Sequence, residues 1–297
     1  MKPGPVLSIP NFSEGRDYHF VRALQDSATV PGVTVHTISW DVDHNRTVVG
    51  LSGEPEPMRA ALLAMARVAF ERVDLRKHRG VHPRLGALDV LPLVATAPEN
   101  KDAAHGLAED LGHGIAELGQ VPVFLYGESA RPGRPRELVE LRRGQYEGWV
   151  GRELRGEHAP DFGPPILHEA LGAVILGVRG PLTAFNVNLS PADPNLAKTI
   201  AKELRARRDT DEILRGVMAM GVPLESRRMS QVSTNITDPE RTGMADVFAF
   251  VASLAPEALV GCEVVGVTRR SDLRRAQQSP EWERMRLRIW PEQVLDY

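Results

Sequence analysis

One stretch decides how the chain is organised: Arg79-Gly-Val-His-Pro-Arg-Leu-Gly-Ala-Leu-Asp-Val-Leu-Pro92. Gly80 frees the backbone just before His82, and Pro83 disfavours the helical region for the residue that precedes it. After Gly86 an apolar run begins that is typical of a buried strand. A His-Pro pair by itself is more often part of a solvated loop. Here we expect a loop that delivers His82, Arg84 and Asp89 to the start of a rigid strand, where folds often place reactive side chains.

Length and composition exclude several classes of function. The 297 residues suit two domains or one large one. The net charge of −3 gives no global field for nucleic acid, and the longest apolar run, seven residues from Ala60 to Ala66, is too short to span a bilayer. The first residues lack the apolar region of a signal peptide. The single cysteine, Cys262, excludes an intrachain disulfide. We expect a cytoplasmic protein that binds neither nucleic acid nor membrane.

Apolar periodicity divides the chain into two halves with the same order of elements. The first half predicts a strand at 6–9, a helix at 18–27, strands at 33–40 and 46–51, a helix at 55–73 and a strand at 87–94. The second predicts a strand at 183–189, a helix at 193–207, strands at 214–220 and 224–233, a helix at 239–254 and a strand at 261–267. The expected fold class is α/β (α+β), with two ferredoxin-like split βαβ subdomains, 1–178 and 179–297, and a ligand cleft between them.

Between the two repeats, the pattern predicts a helix at 101–118 and a strand at 121–126. Residues 127–165 are rich in Pro, Gly and Arg, with helices plausible only at 136–142 and near 148–154. A long irregular segment of this kind is often functional or connects domains.

The turn before the third strand contains Asp41-Val-Asp-His-Asn45. Two carboxylates and a histidine are possible metal ligands, but such turns are usually just solvated, and we expect no metal. His78 precedes His82 by four residues, but the glycine and proline around them break the helix that a His-x-x-x-His metal pair needs. We therefore expect His78 to be a solvated neighbour.

Six stretches, taken together, resemble the formiminotransferase (glutamate formimidoyltransferase) family, in the stand-alone form found in bacteria. The stretches are Pro10-Asn-Phe-Ser-Glu-Gly-Arg16, Asn45-Arg-Thr-Val48, His82-Pro-Arg-Leu-Gly-Ala-Leu-Asp89, Ala159-Pro-Asp-Phe-Gly-Pro164, Ala184-Phe-Asn-Val-Asn-Leu189 and Gln231-Val-Ser-Thr-Asn235. They extend the resemblance over about residues 6–268.

The resemblance implies transfer of the formimidoyl group from N-formimidoyl-L-glutamate to N5 of tetrahydrofolate, with release of L-glutamate. Tetrahydrofolate would be the co-substrate, the two small molecules the binding partners, and the enzyme a cytoplasmic homodimer in histidine degradation and one-carbon metabolism. His82 matches the catalytic histidine of the family. An imidazole, whose ordinary pKa lies near neutrality, can take a proton from the attacking amine and return it to the leaving nitrogen.

The remaining motif residues are candidates for binding substrate or folate. They are Asn11, Ser13, Asp41, Asp43, Asn45, Arg46, Arg84, Asp161, Asn186, Asn188 and Asn235. Arg46 and Arg84 suit substrate carboxylates. Asn186 and Asn188, two residues apart on one strand face, offer paired amides to a pterin edge.

Several roles remain open at this point. Asn11 and Ser13 lie at a strand end and helix start, where either anion binding or simple capping is expected. One of Asp41 and Asp43 would bind the amidinium or orient His82, and the sequence does not decide which.

Two other functions remain as alternatives. A 5-formyltetrahydrofolate cycloligase would need ATP, and the sequence has no Gly-x-x-x-x-Gly-Lys-Ser/Thr loop. A folate-binding protein without turnover would keep the Asn and Arg contacts but would not need His82.

Overall fold

The computed structural model describes residues 4–297. Residues 1–3, which belong to the N-terminal segment predicted not to be a signal peptide, lie outside the described residues. The backbone divides into two compact units, one ending at Arg179 and the other beginning at Gly180. The predicted subdomains 1–178 and 179–297, and the cleft predicted between them, stay predictions. Among the described helices, none has the length and apolar character needed to cross a membrane.

The first unit contains a mixed sheet and five α-helices among its described residues. Its elements are β1 (Val6–Ser8), β2 (Asn11–Phe12), α1 (Tyr18–Ser27), β3 (Val33–Asp41), β4 (Arg46–Gly53), α2 (Pro55–Arg72), β5 (Leu88–Ala95), α3 (Lys101–Gly119), β6 (Val123–Leu125), α4 (Leu138–Leu141), α5 (Gln145–Trp149) and β7 (Val174–Val178).

The core of this sheet has the split βαβ order. Strands β1 and β2 are two parts of one strand interrupted at Pro10, and they lie between β4 and β5, while β3 pairs with the other side of β4. All these pairings are antiparallel, and β7 then joins β5 in parallel, followed by β6. Helices α1 and α3 both pack against α2 and bury the apolar face of the sheet.

The sequence explains the helices that support this sheet. Asp17 caps α1 by accepting a hydrogen bond from the N–H of His19 (2.8 Å), and Phe20 and Leu24 lie on its buried face. Pro55 begins α2, where its missing N–H costs nothing. The long central strand β5 is buried over nearly its whole length, which explains why it is apolar apart from Asp89.

The second unit repeats the arrangement. Its elements are β8 (Thr183–Leu189), α6 (Pro194–Arg207), β9 (Val217–Leu224), β10 (Met229–Ile236), α7 (Met244–Leu254), β11 (Leu259–Val265), β12 (Thr268–Arg269), α8 (Arg270–Gln277), α9 (Trp282–Met285), β13 (Leu287–Arg288) and β14 (Val294–Leu295). The sheet order is β13-β11-β8-β10-β9, so the strand after each helix lies where the split βαβ fold requires it. The predicted fold class is confirmed.

Three elements of this unit, two strands and one helix, were predicted with wrong boundaries. The strands predicted at 214–220 and 224–233 are Val217–Leu224 and Met229–Ile236, because the turn lies at Glu225–Arg228 and Pro223 stays within the strand. The helix predicted from 239 begins only at Met244, because Gly243 is its N-cap and the preceding residues form turns.

Candidate active site

His82 lies on the loop between α2 and β5, as predicted, and it is partly exposed. Its Nδ1 lies 2.7 Å from the carbonyl oxygen of Pro83. Because a carbonyl oxygen only accepts, Nδ1 is the protonated nitrogen of the neutral ring. The lone pair is therefore on Nε2, which is the nitrogen available to a substrate.

The β3–β4 turn packs directly on this loop. The N–H of Val81 donates to the carbonyl of Asp43 (3.0 Å), and a Cβ on Gly80 would come within 2.4 Å of the carbonyl oxygen of His44. The Asp41 carboxylate fixes the turn by accepting the N–H groups of Asp43 and His44, both at 2.8 Å. The turn was expected to be solvated, and it is so only in part: Val42 is exposed, but the end that faces the loop is buried, with His44 only 9% exposed. The rings of His44 and His82 are 5.8 Å apart.

Asn45 connects the turn to two other segments. It adopts a left-handed conformation (φ 49°), which Asn tolerates better than most residues. Its Oδ1 accepts the N–H of Gly15 (2.9 Å) and its Nδ2 donates to the carbonyl of Arg79 (3.0 Å). The expectation of a solvated His78 was wrong: His78 is 6% exposed, and its Nε2 lies 3.0 Å from the carbonyl of Asn45. Burial lowers the pKa of His78.

Asp89 occupies a β-bulge. On β2, Asn11 lies opposite Val90 but the next residue, Phe12, lies opposite Leu88, so Asp89 is an extra residue on β5. Bulges of this kind redirect a side chain and are common next to active sites. The Asp89 side chain is consequently in the interior of the unit, with no exposed surface.

The Asp89 carboxylate joins the His82 loop to two arginines. Its Oδ1 accepts the N–H groups of Leu85 (2.7 Å) and Gly86 (3.4 Å), and its Oδ2 accepts from Arg46 Nη1 (2.8 Å) and from Arg142 Nη2. Burial alone would raise the pKa of Asp89, but the charges of Arg142 and Arg46 outweigh it and leave that pKa lowered. Burial lowers the pKa of Arg46 to about 10, so it remains charged at neutral pH.

Asn11 and Ser13 complete this cluster from β2. The Oδ1 of Asn11 accepts from Arg46 Nε (3.0 Å), while its Nδ2 donates to the carbonyl of Ile9 (2.7 Å). The Ser13 hydroxyl donates to the carbonyl of Gly86 (2.7 Å) and is buried. Asn11 therefore helps to hold the Arg46 side chain, and Ser13 helps to hold the backbone that follows His82. Contact of either side chain with substrate stays a prediction.

The irregular segment reaches the same loop through α4 and α5. Arg84 forms a two-pronged ion pair with Glu147 of α5 (3.1 and 2.5 Å), and the N–H of Tyr146 donates to the carbonyl of Arg84 (3.0 Å). Arg142, immediately after α4, is the second arginine on Asp89. The helix expected near 148–154 is shifted to Gln145–Trp149.

The environment of His82 disfavours its protonated form. Burial is the largest cause, followed by the charges of Arg46 and Arg142 and by His44, while the carbonyl of Pro83 acts in the opposite direction. The pKa of His82 therefore lies well below its ordinary value, and the ring is neutral at physiological pH.

The three candidate asparagines of the second unit lie on one sheet face, opposite the face on which α6 and α7 pack. On β10, Gln231 is fully buried, and its Nε2 donates both to Asn188 Oδ1 and to Glu263 Oε1 (2.8 Å each). Asn186 is paired in register with Glu263, and Asn235 lies further along β10. This side-chain network fixes the orientation of the Asn188 amide.

Asp161 is positioned at a different edge of the first unit. Its Oδ2 accepts the N–H of Leu125 in β6 (2.7 Å), two strands away from β5. Burial raises the pKa of Asp161. The structure therefore gives Asp161 a role in holding the end of β6, and its proposed contact with folate stays a prediction.

Sequence reasoning did not single out three residues that these contacts identify: Arg142, Gln231 and Glu263. Asp89 was expected beside His82 but was given no specific role. Gln231 lay inside a quoted motif, and an amide side chain in an apolar strand is the signal that would have found it. Arg142 and Glu263 have no local signal. Within residues 4–297, no group of three or more His, Cys, Asp or Glu side chains is arranged to bind a metal ion.

Comparison with known proteins matches both units to one family. The family described as "Formiminotransferase domain, N-terminal subdomain" matches residues 5–179, and "Formiminotransferase domain" matches residues 184–279. The glutamate formimidoyltransferase of Streptococcus pyogenes serotype M1 is 36% identical over 270 residues, which is 88% of either chain. That of Thermoplasma acidophilum is 35% identical over 249 residues, covering 83% of this chain and 81% of its own.

A second group of relatives is longer. The pig formimidoyltransferase-cyclodeaminase is 37% identical over 269 residues, which is 88% of this chain but 50% of the pig protein. The chain thus spans about half the length of the pig protein.

Proposed function

The chain belongs to the formiminotransferase family, and on this premise we propose that it transfers the formimidoyl group of N-formimidoyl-L-glutamate to N5 of tetrahydrofolate and releases L-glutamate. The observation that supports this most is the state of His82. Its Nδ1 is held by the Pro83 carbonyl and its ring is neutral, so Nε2 is free to accept a proton.

In the proposed reaction, His82 moves one proton twice. It accepts the proton that the attacking amine loses when that amine bonds to the amidine carbon. It then donates the proton to the nitrogen of glutamate as the bond between that nitrogen and carbon breaks. Because the charges of Arg46 and Arg142 disfavour the imidazolium, His82 is a ready donor in the second step.

The substrate carboxylates are assigned to three arginines near His82: Arg46, Arg142 and Arg84. Arg46 and Arg142 share the single carboxylate of Asp89, so this cluster retains one positive charge. A substrate carboxylate would balance that charge. Arg84 is already paired with Glu147, whose side chain is mostly exposed, so a substrate anion could exchange with Glu147.

The pterin ring is assigned to the amides of the second unit. Asn186, Asn188 and Asn235 provide donors and acceptors on one sheet face, and the bond from Gln231 orients the Asn188 amide. Paired amides provide the alternating donors and acceptors that match a pterin edge. Histidine degradation and one-carbon metabolism are the proposed setting.

We also propose that the enzyme is a cytoplasmic homodimer that binds neither nucleic acid nor membrane. The only cysteine, Cys262, is buried and unpaired, which is typical of a reducing compartment. Light scattering should give twice the chain mass of 32.7 kDa. A mass of one chain at micromolar concentration would contradict the dimer.

The function is tested by incubating the protein with both substrates and measuring free glutamate and 5-formimidoyl-tetrahydrofolate. Equal amounts of the two products are expected without ATP. Turnover of 5-formyltetrahydrofolate that requires ATP would instead indicate the cycloligase. Tight folate binding with no turnover of either donor would indicate a binding protein.

A further inference from the structure

Arg142 contacts Asp89, although it lies outside the six sequence stretches that resemble the family. It follows the four-residue helix α4 and lies 53 residues beyond Asp89 in sequence. Its Nη2 contacts the same oxygen, Oδ2, that Arg46 Nη1 contacts at 2.8 Å. One carboxylate thus has two guanidinium partners from different parts of the chain.

The second arginine is not needed to satisfy Asp89. Without Arg142, the carboxylate still has Arg46 on Oδ2 and the N–H groups of Leu85 and Gly86 on Oδ1. The Nε of Arg142 is buried and has no hydrogen-bond partner in residues 4–297. Burying a cation with an unsatisfied donor is unfavourable, so its placement here calls for a reason other than stability.

The surroundings of His82 supply that reason. The ionisable groups that act on it are Arg46 of β4, His44 of the β3–β4 turn and Arg142, and Asp89 lies against both arginines. The two arginines and one carboxylate leave an excess of one positive charge next to the imidazole. Arg142 is the group that creates this excess.

We propose that Arg142 is a positioning residue of the reaction: it fastens α4 to the His82 loop through Asp89, and its charge, added to that of Arg46, disfavours a proton on Nε2 of the free His82 ring. This proposal rests on the proposed function for its role in catalysis. Its electrostatic part concerns the free protein and is tested without any substrate.

The test is a pH titration of the His82 ring by NMR in protein labelled with ¹⁵N-histidine, with His82→Asn used to assign the signal. In the wild-type protein, the neutral ring should show a protonated Nδ1 and a titration midpoint below the ordinary value of about 6.5. Arg142→Gln should raise that midpoint by roughly half to one pH unit, since one nearby charge at effective dielectric constants of about 20–40 has an effect of this size. The acid side of the kcat/KM profile should move by the same amount.

Two further variants separate charge from packing. Arg142→Lys retains the cation and should leave the midpoint close to that of the wild type. Glu147→Gln loosens the neighbouring attachment of α5 to Arg84 without removing a cation, and should leave the midpoint unchanged or lower it. Arg142→Met fills the same volume without charge and should match Arg142→Gln, so it replaces that variant if Arg142→Gln does not fold.

The proposal is overturned if folded Arg142→Gln and Arg142→Met titrate like the wild type, or if Arg142→Lys shifts the midpoint as far as they do. If the wild-type protein releases no glutamate, the proposed function fails, and the NMR midpoints still decide the electrostatic claim.

Discussion

Arg46 Nη1 and Asp89 Oδ2 form an ion pair of 2.8 Å in which the arginine side chain is 9% exposed and the aspartate has no exposed surface. Both charges are expensive to bury, and their partners offset that cost: Asn11 and Asp89 for Arg46, and Arg46 and two backbone N–H groups for Asp89. The pair is therefore a central support of the His82 loop.

Asp89→Asn should strongly destabilise the fold. The substitution leaves two buried guanidinium groups without a counter-charge, and losing one partner of a buried pair costs roughly 3–5 kcal/mol. Urea unfolding measures this. Asp74→Asn is the control, because Asp74 pairs on the surface with Arg76, and it should hardly change the midpoint. Equal effects of the two changes would contradict the role given to Asp89.

Arg46→Ala should both destabilise the protein and raise KM for formimidoyl-glutamate. Losing a desolvated carboxylate contact is worth roughly 2–5 kcal/mol in binding. Steady-state kinetics on the folded fraction separates this effect from instability. Lower stability with unchanged KM for both substrates would confine Arg46 to supporting Asp89.

Asn45→Ala and Asn45→Gly form a matched pair at the β3–β4 turn. Both lose the hydrogen bonds to Gly15 and Arg79, but only alanine is strained at the left-handed φ of 49°. Asn45→Gly should therefore be more stable than Asn45→Ala by about 1 kcal/mol. The opposite order in thermal unfolding would show that this backbone conformation does not limit stability.

The rate should depend on pH through His82. Its folded-state pKa is lowered, so the ring is neutral at pH 7 and becomes protonated only as the pH falls through that lowered value. The donor is kept saturating, and the acceptor is varied over a pH range in which it keeps one ionisation state. Under these conditions kcat/KM for the acceptor should be level near neutrality and decline as the pH falls, with a midpoint below about 6.5. A midpoint above 7 would contradict the environment described for His82.

The sequence predicted the supporting fold well because its signals are local. Gly80 and Pro83 placed His82 on a loop, and the apolar run after Gly86 became β5. The error at β9 and β10 has a physical cause. The two strands were predicted to break at residues 221–223, but the backbone instead reverses at Arg228, which adopts a left-handed conformation (φ 51°).

The site was predicted only in part, because its key contacts are not local. Nothing near Asp89 indicates the bulge that turns its side chain inward, since a bulge depends on the register of β2 against β5. Arg142 belongs to a segment rich in glycine, proline and arginine, in which no pattern distinguishes one arginine from another. Likewise, the turn at Asp43 and His44 looked solvated because its cover, the His82 loop, is distant in sequence.

The most direct test of the account is the rate of glutamate release from formimidoyl-glutamate and tetrahydrofolate by wild-type protein and by His82→Asn. Because His82 is on a partly exposed loop, asparagine should leave the fold and folate binding intact. We predict that kcat falls by roughly 10²–10⁴-fold, the usual contribution of a positioned acid–base group, and that the acid limb of the pH profile disappears. Glutamate release by the variant within about threefold of the wild-type rate, or no release by the wild type, would contradict it.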